Sequence, residues 1–143
     1  MINYTLGFCF FDGKVLLIEK KSPEWQSGKL NGIGGKIGFG ETIRGSLTRS
    51  FKEATNVVIN PDHWLNVCKV RNVDFEMTVF AAEVDNIDMF DLTKNNLHLI
   101  DLPALRESDE FSVLLDVRML VELCLFRMIN RIVNPNNQYS ISY

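Results

Sequence analysis

The chain has 143 residues, a length suited to one domain, and its 46 % apolar residues and mean hydropathy of +0.01 supply material for a core and exclude a disordered polymer. A net charge of −3, with basic residues scattered except for Lys20-Lys21, argues against a broad face for nucleic-acid backbone and leaves a small nucleotide as the better partner.

Residues 2–10 and 14–20 read as two strands joined at the Asp12-Gly13 turn. The segment has no positive start and no small-residue cleavage site, so a hairpin is expected and not a leader. The glycine-rich run WQSGKLNGIGGK, residues 25–36, follows, and its amides can form a concavity for an anion. Thr42 is placed to cap a helix over 43–56, which Asn56 can end in a left-handed conformation.

After Pro61 come strands near 64–71 and 74–84, the second alternating Phe75, Met77, Val79 and Ala81 against Glu76 and Thr78. Segment 85–96 is polar and reads as a loop. Residues 97–102 suggest a further strand with Pro103 marking its exit. Leu114, Val117, Leu120, Val121, Cys124 and Leu125 recur at helical spacing and predict a helix over 109–131. Its four charged residues between 113 and 129 make it too polar to span a bilayer. The polar tail, residues 134–143, is expected to fray or to pass to a partner, leaving 1–133 as one domain.

Cys9, Cys68 and Cys124 lie far apart in apolar surroundings and form no metal-ligand pattern, which suits free buried thiols in a reducing compartment, the cytoplasm. His63 and His98 are equally isolated.

One stretch carries chemistry. Gly35 is followed after five residues by Glu41, after seven more by Arg49, and then by Phe51, Glu53 and Val57. This register resembles the Nudix box, G-x5-E-x7-R-E-U-x-E-E-x-G-U with U a bulky apolar residue. Ser50, Ala54 and Asn56 stand where that pattern has Glu, Glu and Gly. The resemblance implies an α/β fold, a Nudix-type α/β/α sandwich with a mixed β-sheet. It further implies a helix whose acids hold magnesium or manganese against a diphosphate. Carboxylates three and four residues apart share a helix face; here that face reads Ser46, Ser50, Glu53, Ala54, Val57, one acid where the family has three.

By the resemblance, Glu53, Arg49 and Glu41 are the catalytic set, with Glu41 bracing the loop through Arg49, and Glu53 and the Gly34 carbonyl are the metal contacts. The string Leu30-Asn31-Gly32-Ile33-Gly34-Gly35-Lys36 is similar to the N-G-x-G-G-K segment of Nudix enzymes acting on oxidised purine nucleoside triphosphates. That likeness implies Asn31 on the base edge, Trp25 near the base and Lys21 facing the ligand. Trp25 serves equally as a stacking surface, a lid or a core anchor. Lys36 suits neutralising a phosphate better than acting as a base.

Three functions follow as expectations. The first is a nucleotide-binding protein, for a di- or triphosphate, whose hydrolysis is lost or strongly weakened and which needs no cofactor. The second is a magnesium- or manganese-dependent pyrophosphohydrolase drawing further acids from Glu83, Asp85, Asp101 or the Glu107-Asp109-Glu110 group. The third is a structural role for the C-terminal helix. A second copy of the chain is the candidate protein partner; a nucleic-acid polymer or a membrane is not expected.

Overall fold

The structure is a computed structural model that describes residues 1–93, 96–107, 113–114, 116–131 and 139–142. Eight strands form one mixed sheet: β1 (Ile2–Phe11), β2 (Lys14–Glu19), β3 (Leu30–Asn31), β4 (Ile33–Lys36), β5 (Leu65–Arg71), β6 (Phe75–Glu83), β7 (Leu97–Asp101) and β8 (Tyr139–Ser142). The helices are α1 (Ile43–Thr55), α2 (Leu102–Glu107) and α3 (Val117–Asn130). The order along the sheet is β3-β2-β1-β6-β5-β8, with β4 on β1 and β7 on β2.

β1 is the axis. It pairs in parallel with β6 from Ile2↔Phe75 to Phe10↔Glu83, and antiparallel with β2 and with β4, where Thr5 faces Gly35 and Leu6 faces Gly34. Because side chains alternate across a strand, both faces of β1 and β6 carry apolar residues and both are covered. On one face Leu6, Phe8, Val79 and Ala81 pack under α2 and α3 through Leu105, Leu120, Val121 and Cys124. On the other, Cys9, Ile33 and Phe80 pack under α1 through Leu47 and Phe51. There Phe51 meets Trp64 and Phe90 edge to face, with ring centroids 5.2 and 6.0 Å apart. Helix, sheet, helix make the α/β/α sandwich expected from the sequence.

Local signals explain the element ends. The Asp12-Gly13 turn takes positive φ at both residues. The Thr42 hydroxyl accepts the Gly45 amide 3.0 Å away, capping α1, and Asn56 closes the helix at φ 62°.

Pro103 does follow the end of β7, and it sits in the first turn of α2, where a missing N–H costs nothing. Two expectations are corrected. The C-terminal helix begins at Val117, not 109, because Val113 bridges Leu30 and Leu114 donates to the Leu30 carbonyl, so the chain there follows the sheet; residues 109–112 lie outside the described residues. The tail does not simply fray or leave the fold: Tyr139–Ser142 adds a parallel edge strand on β5, with Cys68↔Tyr139 through Arg71↔Ser142. Among the described residues no helix is long and apolar enough to cross a membrane.

All three cysteines are free and buried. Loss of hydration pushes the thiols of Cys9 and Cys68 up to about 12, and that of Cys124 well above its ordinary value.

Candidate functional site

The short strand β4 delivers the chain from the glycine-rich run to α1. A methyl group on Gly34 would fall 1.9 Å from the Thr5 carbonyl oxygen, so glycine is what allows β4 to lie against β1. At Gly35 a methyl would meet Ser50 Oγ at 3.2 Å, which places Ser50 directly beneath the strand.

The loop from Gly38 to Glu41 and the middle of α1 are clamped together by one ion-pair network. Arg49 donates Nε to Glu41 Oε2 at 2.7 Å and Nη2 to Glu41 Oε1 at 2.9 Å, while Glu41 Oε1 also accepts the Gly38 amide at 2.7 Å. Arg49 Nη2 reaches the Lys36 carbonyl at 3.2 Å, and Nη1 reaches both Glu53 oxygens at 3.2 and 3.3 Å. Glu41 is therefore spent on the loop, the bracing role the sequence implied.

Hydrogen bonds from Arg49 and then from the Gly38 amide hold the Glu41 carboxyl below its usual range. The Glu41 and Glu53 hydrogen bonds in turn keep Arg49 charged more firmly than usual. A carboxyl with a lowered folded-state pKa contributes stability above its unfolded value, and that contribution is lost as pH falls through the folded value. The melting-temperature gap between wild type and Glu41→Gln is thus expected to be widest above about pH 5 and to close on acidification. Thermal melts across an acid series check this; a gap that stays constant would mean that the clamp does not depend on the charge of Glu41.

The face of α1 that meets β4 is nearly without charge. Ser46 is fully buried and its hydroxyl has no partner among the described residues, Ser50 is 8 % exposed, and Ala54 is half-buried. Glu53 points outward with 66 % of its side chain exposed. A magnesium or manganese ion takes an octahedral shell of oxygens. One carboxylate already bonded to an arginine, with one backbone carbonyl at Gly34, does not fit that demand, and among the described residues no three His, Cys, Asp or Glu side chains gather into a cation-holding group.

The alternative acids sit elsewhere. Glu83 faces Phe10 and Asp101 faces Lys14 across the sheet, five or more residues along β1 from Thr5, the partner of Gly35, or roughly 16 Å at strand rise. Glu83 pairs with Arg131 at 3.7 Å and Asp101 with Lys14 at 3.6 Å, while Asp85 and Glu107 are exposed. Asp109 and Glu110 lie outside the described residues.

Beside the clamp, on the α3 side of the sheet, a cleft of about 470 Å³ is walled by Tyr4, Trp25, Asn31, Gly34, Gly35 and Phe75. It runs on into a recess of about 310 Å³ that reaches Met77, Leu114, Asp116 and Leu120. Trp25, on a short turn of 3₁₀ helix, is 67 % exposed and so is no core anchor. Asn31 Oδ1 accepts the Gly32 amide at 2.8 Å, which leaves its NH2 group as the donor available to the cleft.

Gly34, Asn31 and Trp25 are thus brought together. Lys36 stands exposed at the end of β4, with its carbonyl on Arg49. Lys21 is exposed and absent from the cleft wall; Lys20, one residue earlier, lines it instead. Sequence reasoning missed Tyr4, Phe75 and Asp116. Phe75 entered the sequence analysis only through the alternation of its strand and Tyr4 only as part of the first strand, yet they form an edge-to-face pair 6.0 Å apart at the cleft. Asp116, at φ 74°, was hidden inside an apolar run.

No protein-family model matches the chain. It is 34 % identical over 106 residues to the oxidized purine nucleoside triphosphate hydrolase of Danio rerio, a match that takes in 74 % of this chain and 60 % of that relative's length. Among solved structures it is similar to a MutT/nudix family protein from Enterococcus faecalis, with TM-score 0.70 and 15 % identity over 93 % of this chain and 64 % of that one. It is similar also to the NUDIX domain of Shewanella oneidensis NrtR complexed with ADP ribose, with TM-score 0.71 and 17 % identity over 89 % and 88 % of the two chains. The same NrtR in complex with a 27mer DNA matches with TM-score 0.71 and 17 % identity over 92 % of this chain but only 63 % of the other.

Proposed function

Because the chain is a MutT-like Nudix-fold protein, we propose that it binds a nucleotide carrying a di- or triphosphate and that its phosphoanhydride hydrolysis is lost or strongly weakened. The observation that carries this reading is the α1 face under β4. Where a cation would need several acids, the chain offers buried Ser50, half-buried Ala54 and a Glu53 engaged by Arg49. The cleft beside that face keeps the parts that recognise a ligand without cutting it. Trp25 and Phe75 give stacking surface, the Asn31 NH2 donates to a base edge, and Lys20 on the wall supplies positive charge for the phosphates, with Lys21 and Lys36 exposed outside the wall. A purine is the base this reading favours, since the Danio rerio relative is named for purine nucleoside triphosphates.

The two tryptophans make the test direct. Trp25 is exposed in the cleft and Trp64 is 1 % exposed in the core, so bound nucleotide should quench only the first. Titration with purine nucleoside triphosphates in chelator is expected to quench emission saturably, Trp25→Phe to abolish the change, and Asn31→Ala to weaken binding by about tenfold, the worth of one recognised polar contact. Equal quenching in wild type and Trp25→Phe would remove the cleft from the account.

A second reading has one specific observation in its favour: the Danio rerio relative is named as a hydrolase, and Glu41, Arg49 and Glu53 are retained here. On that reading the chain is a magnesium- or manganese-dependent nucleoside triphosphate or nucleoside diphosphate-X pyrophosphohydrolase, with Glu53, Arg49 and Glu41 as its working set. Ordinary phosphate or pyrophosphate release that Glu53→Gln abolishes would establish it and overturn the first. In either case the partner we propose is a small nucleotide, not a nucleic-acid polymer or a membrane, with a second copy of the chain as the candidate protein partner. The buried reduced thiols favour the cytoplasm.

A further inference from the structure

The wall of the Trp25 cleft is of two kinds. Tyr4 and Leu6 stand on β1, and Phe75 and Met77 on β6, strands whose parallel ladder runs from Ile2↔Phe75 to Phe10↔Glu83. That part is fixed by the core of the sheet.

Another part of the wall, Pro23, Trp25 and Gln26, comes from a segment held only by itself. The Lys20 amide donates to the Lys29 carbonyl and the Gly28 amide to the Lys20 carbonyl, both at 2.8 Å, and these bonds close a neck. Beyond the neck Gln26 donates to the Pro23 carbonyl at 2.9 Å, Ser27 to the Glu24 carbonyl at 3.1 Å and Lys29 to the Gln26 carbonyl at 3.0 Å. Among the described residues no hydrogen bond or ion pair ties residues 21–28 to anything past Lys20 and Lys29. None of residues 21–28 is buried. A surface loop with its ends together and no side chain in the core opens locally at small cost.

Trp25 gives the loop a reason to move. Its indole lines both the cleft and the recess behind it, yet it is 67 % exposed. Covering apolar surface is favourable in proportion to area. Over an empty cleft, closure would only exchange water outside for water within; a planar base in the cleft offers the indole a face to stack on. Gly28 sits at the neck with φ 80°, outside the wall and with nothing within 4 Å of an added methyl group.

We propose that residues 21–27 form a lid. Hinged at Lys20, Gly28 and Lys29, the loop closes on a bound nucleotide and lays the Trp25 indole on its base, over the fixed floor of Phe75 and Met77. The lid presupposes the nucleotide site proposed above; what it adds is that the ligand, not the fold, completes the packing of this loop.

The test uses the full chain with ATP or GTP in chelator. Hydrogen exchange at the Gln26, Ser27, Gly28 and Lys29 amides should be fast in the free chain and slow severalfold at saturation, while the β1 ladder stays unchanged. Acrylamide should reach Trp25 freely without nucleotide and poorly with it, Trp64 in the core remaining silent. Gly28→Ala strains the neck without touching the wall and should speed nucleotide dissociation about tenfold in stopped flow, the worth of one left-handed alanine. Its melting temperature should stay at that of wild type, since the loop can open without parting the core. A saturable quench of Trp25 with exchange at 26–29, acrylamide access and Gly28→Ala dissociation all unaltered would leave the nucleotide site standing and overturn the lid. No saturable quench with any nucleotide would overturn the site, and the lid with it.

Discussion

Ser50→Glu combined with Ala54→Glu is expected to give the chain metal-dependent phosphoanhydride hydrolysis at least about a hundredfold above wild type, since a bound cation is worth several kcal/mol of transition-state charge stabilisation. Ser50 lies beneath Gly35, which carries no side chain to block it, and Ala54 is half-buried one turn on, so new carboxylates at 50 and 54 would join Glu53 within a single turn of α1. Three acids so close repel one another without a cation. The double variant should therefore melt below wild type in chelator and recover when magnesium or manganese is added, as expected for a ligand that binds only the folded state. Wild type should show no such recovery. Phosphate release and paired melts read the two effects separately. Wild type hydrolysing as fast as the variant would sink the idea that missing carboxylates limit the chemistry; a metal-stabilised but inactive variant would place the defect in the cleft.

Gly34→Ala carries the largest expected effect on the fold. Its methyl would sit 1.9 Å from the Thr5 carbonyl oxygen and 2.6 Å from the Thr5 carbonyl carbon, and both belong to the backbone of the central strand. No rotamer change relieves such a contact; β4 would have to lift off β1. Overpacking that forces backbone shifts costs about 1–3 kcal/mol and sometimes more, and separating a strand belongs at or beyond the upper end. Gly13→Ala is the control: at φ 74° with nothing within 4 Å of the added methyl, it should cost only about 1–2 kcal/mol of left-handed strain. Urea unfolding of the two variants checks the order. A Gly34→Ala protein no less stable than Gly13→Ala would mean that β4 is not seated against β1 as described.

Much of the architecture could be read from local signals, because each rests on a residue's own backbone preference. Asp12-Gly13 specified the hairpin, Thr42 and Asn56 specified both ends of α1, and the alternation of Phe75 to Ala81 specified β6. What escaped depended on partners. The apolar periodicity of α3 runs smoothly back to Leu114, and only the bridge to Leu30 stops the helix at Val117. The tail is polar and has no strand pattern of its own; it becomes β8 because β5 offers an open edge. The site divides in the same way. The Glu41–Arg49–Glu53 spacing was legible since one helix and one loop carry it. The cleft wall was not, because Tyr4, Phe75 and Asp116 come from three distant segments.

The sealed thiols have a practical consequence. Cys9, Cys68 and Cys124 sit on strands or a helix of the core, and burial holds each in the unreactive protonated form. An alkylating reagent can mark them only during the moments when the layers part, so the pace at which the chain gains mass in such a reagent is a clock for its own opening, readable without dye, denaturant or assay.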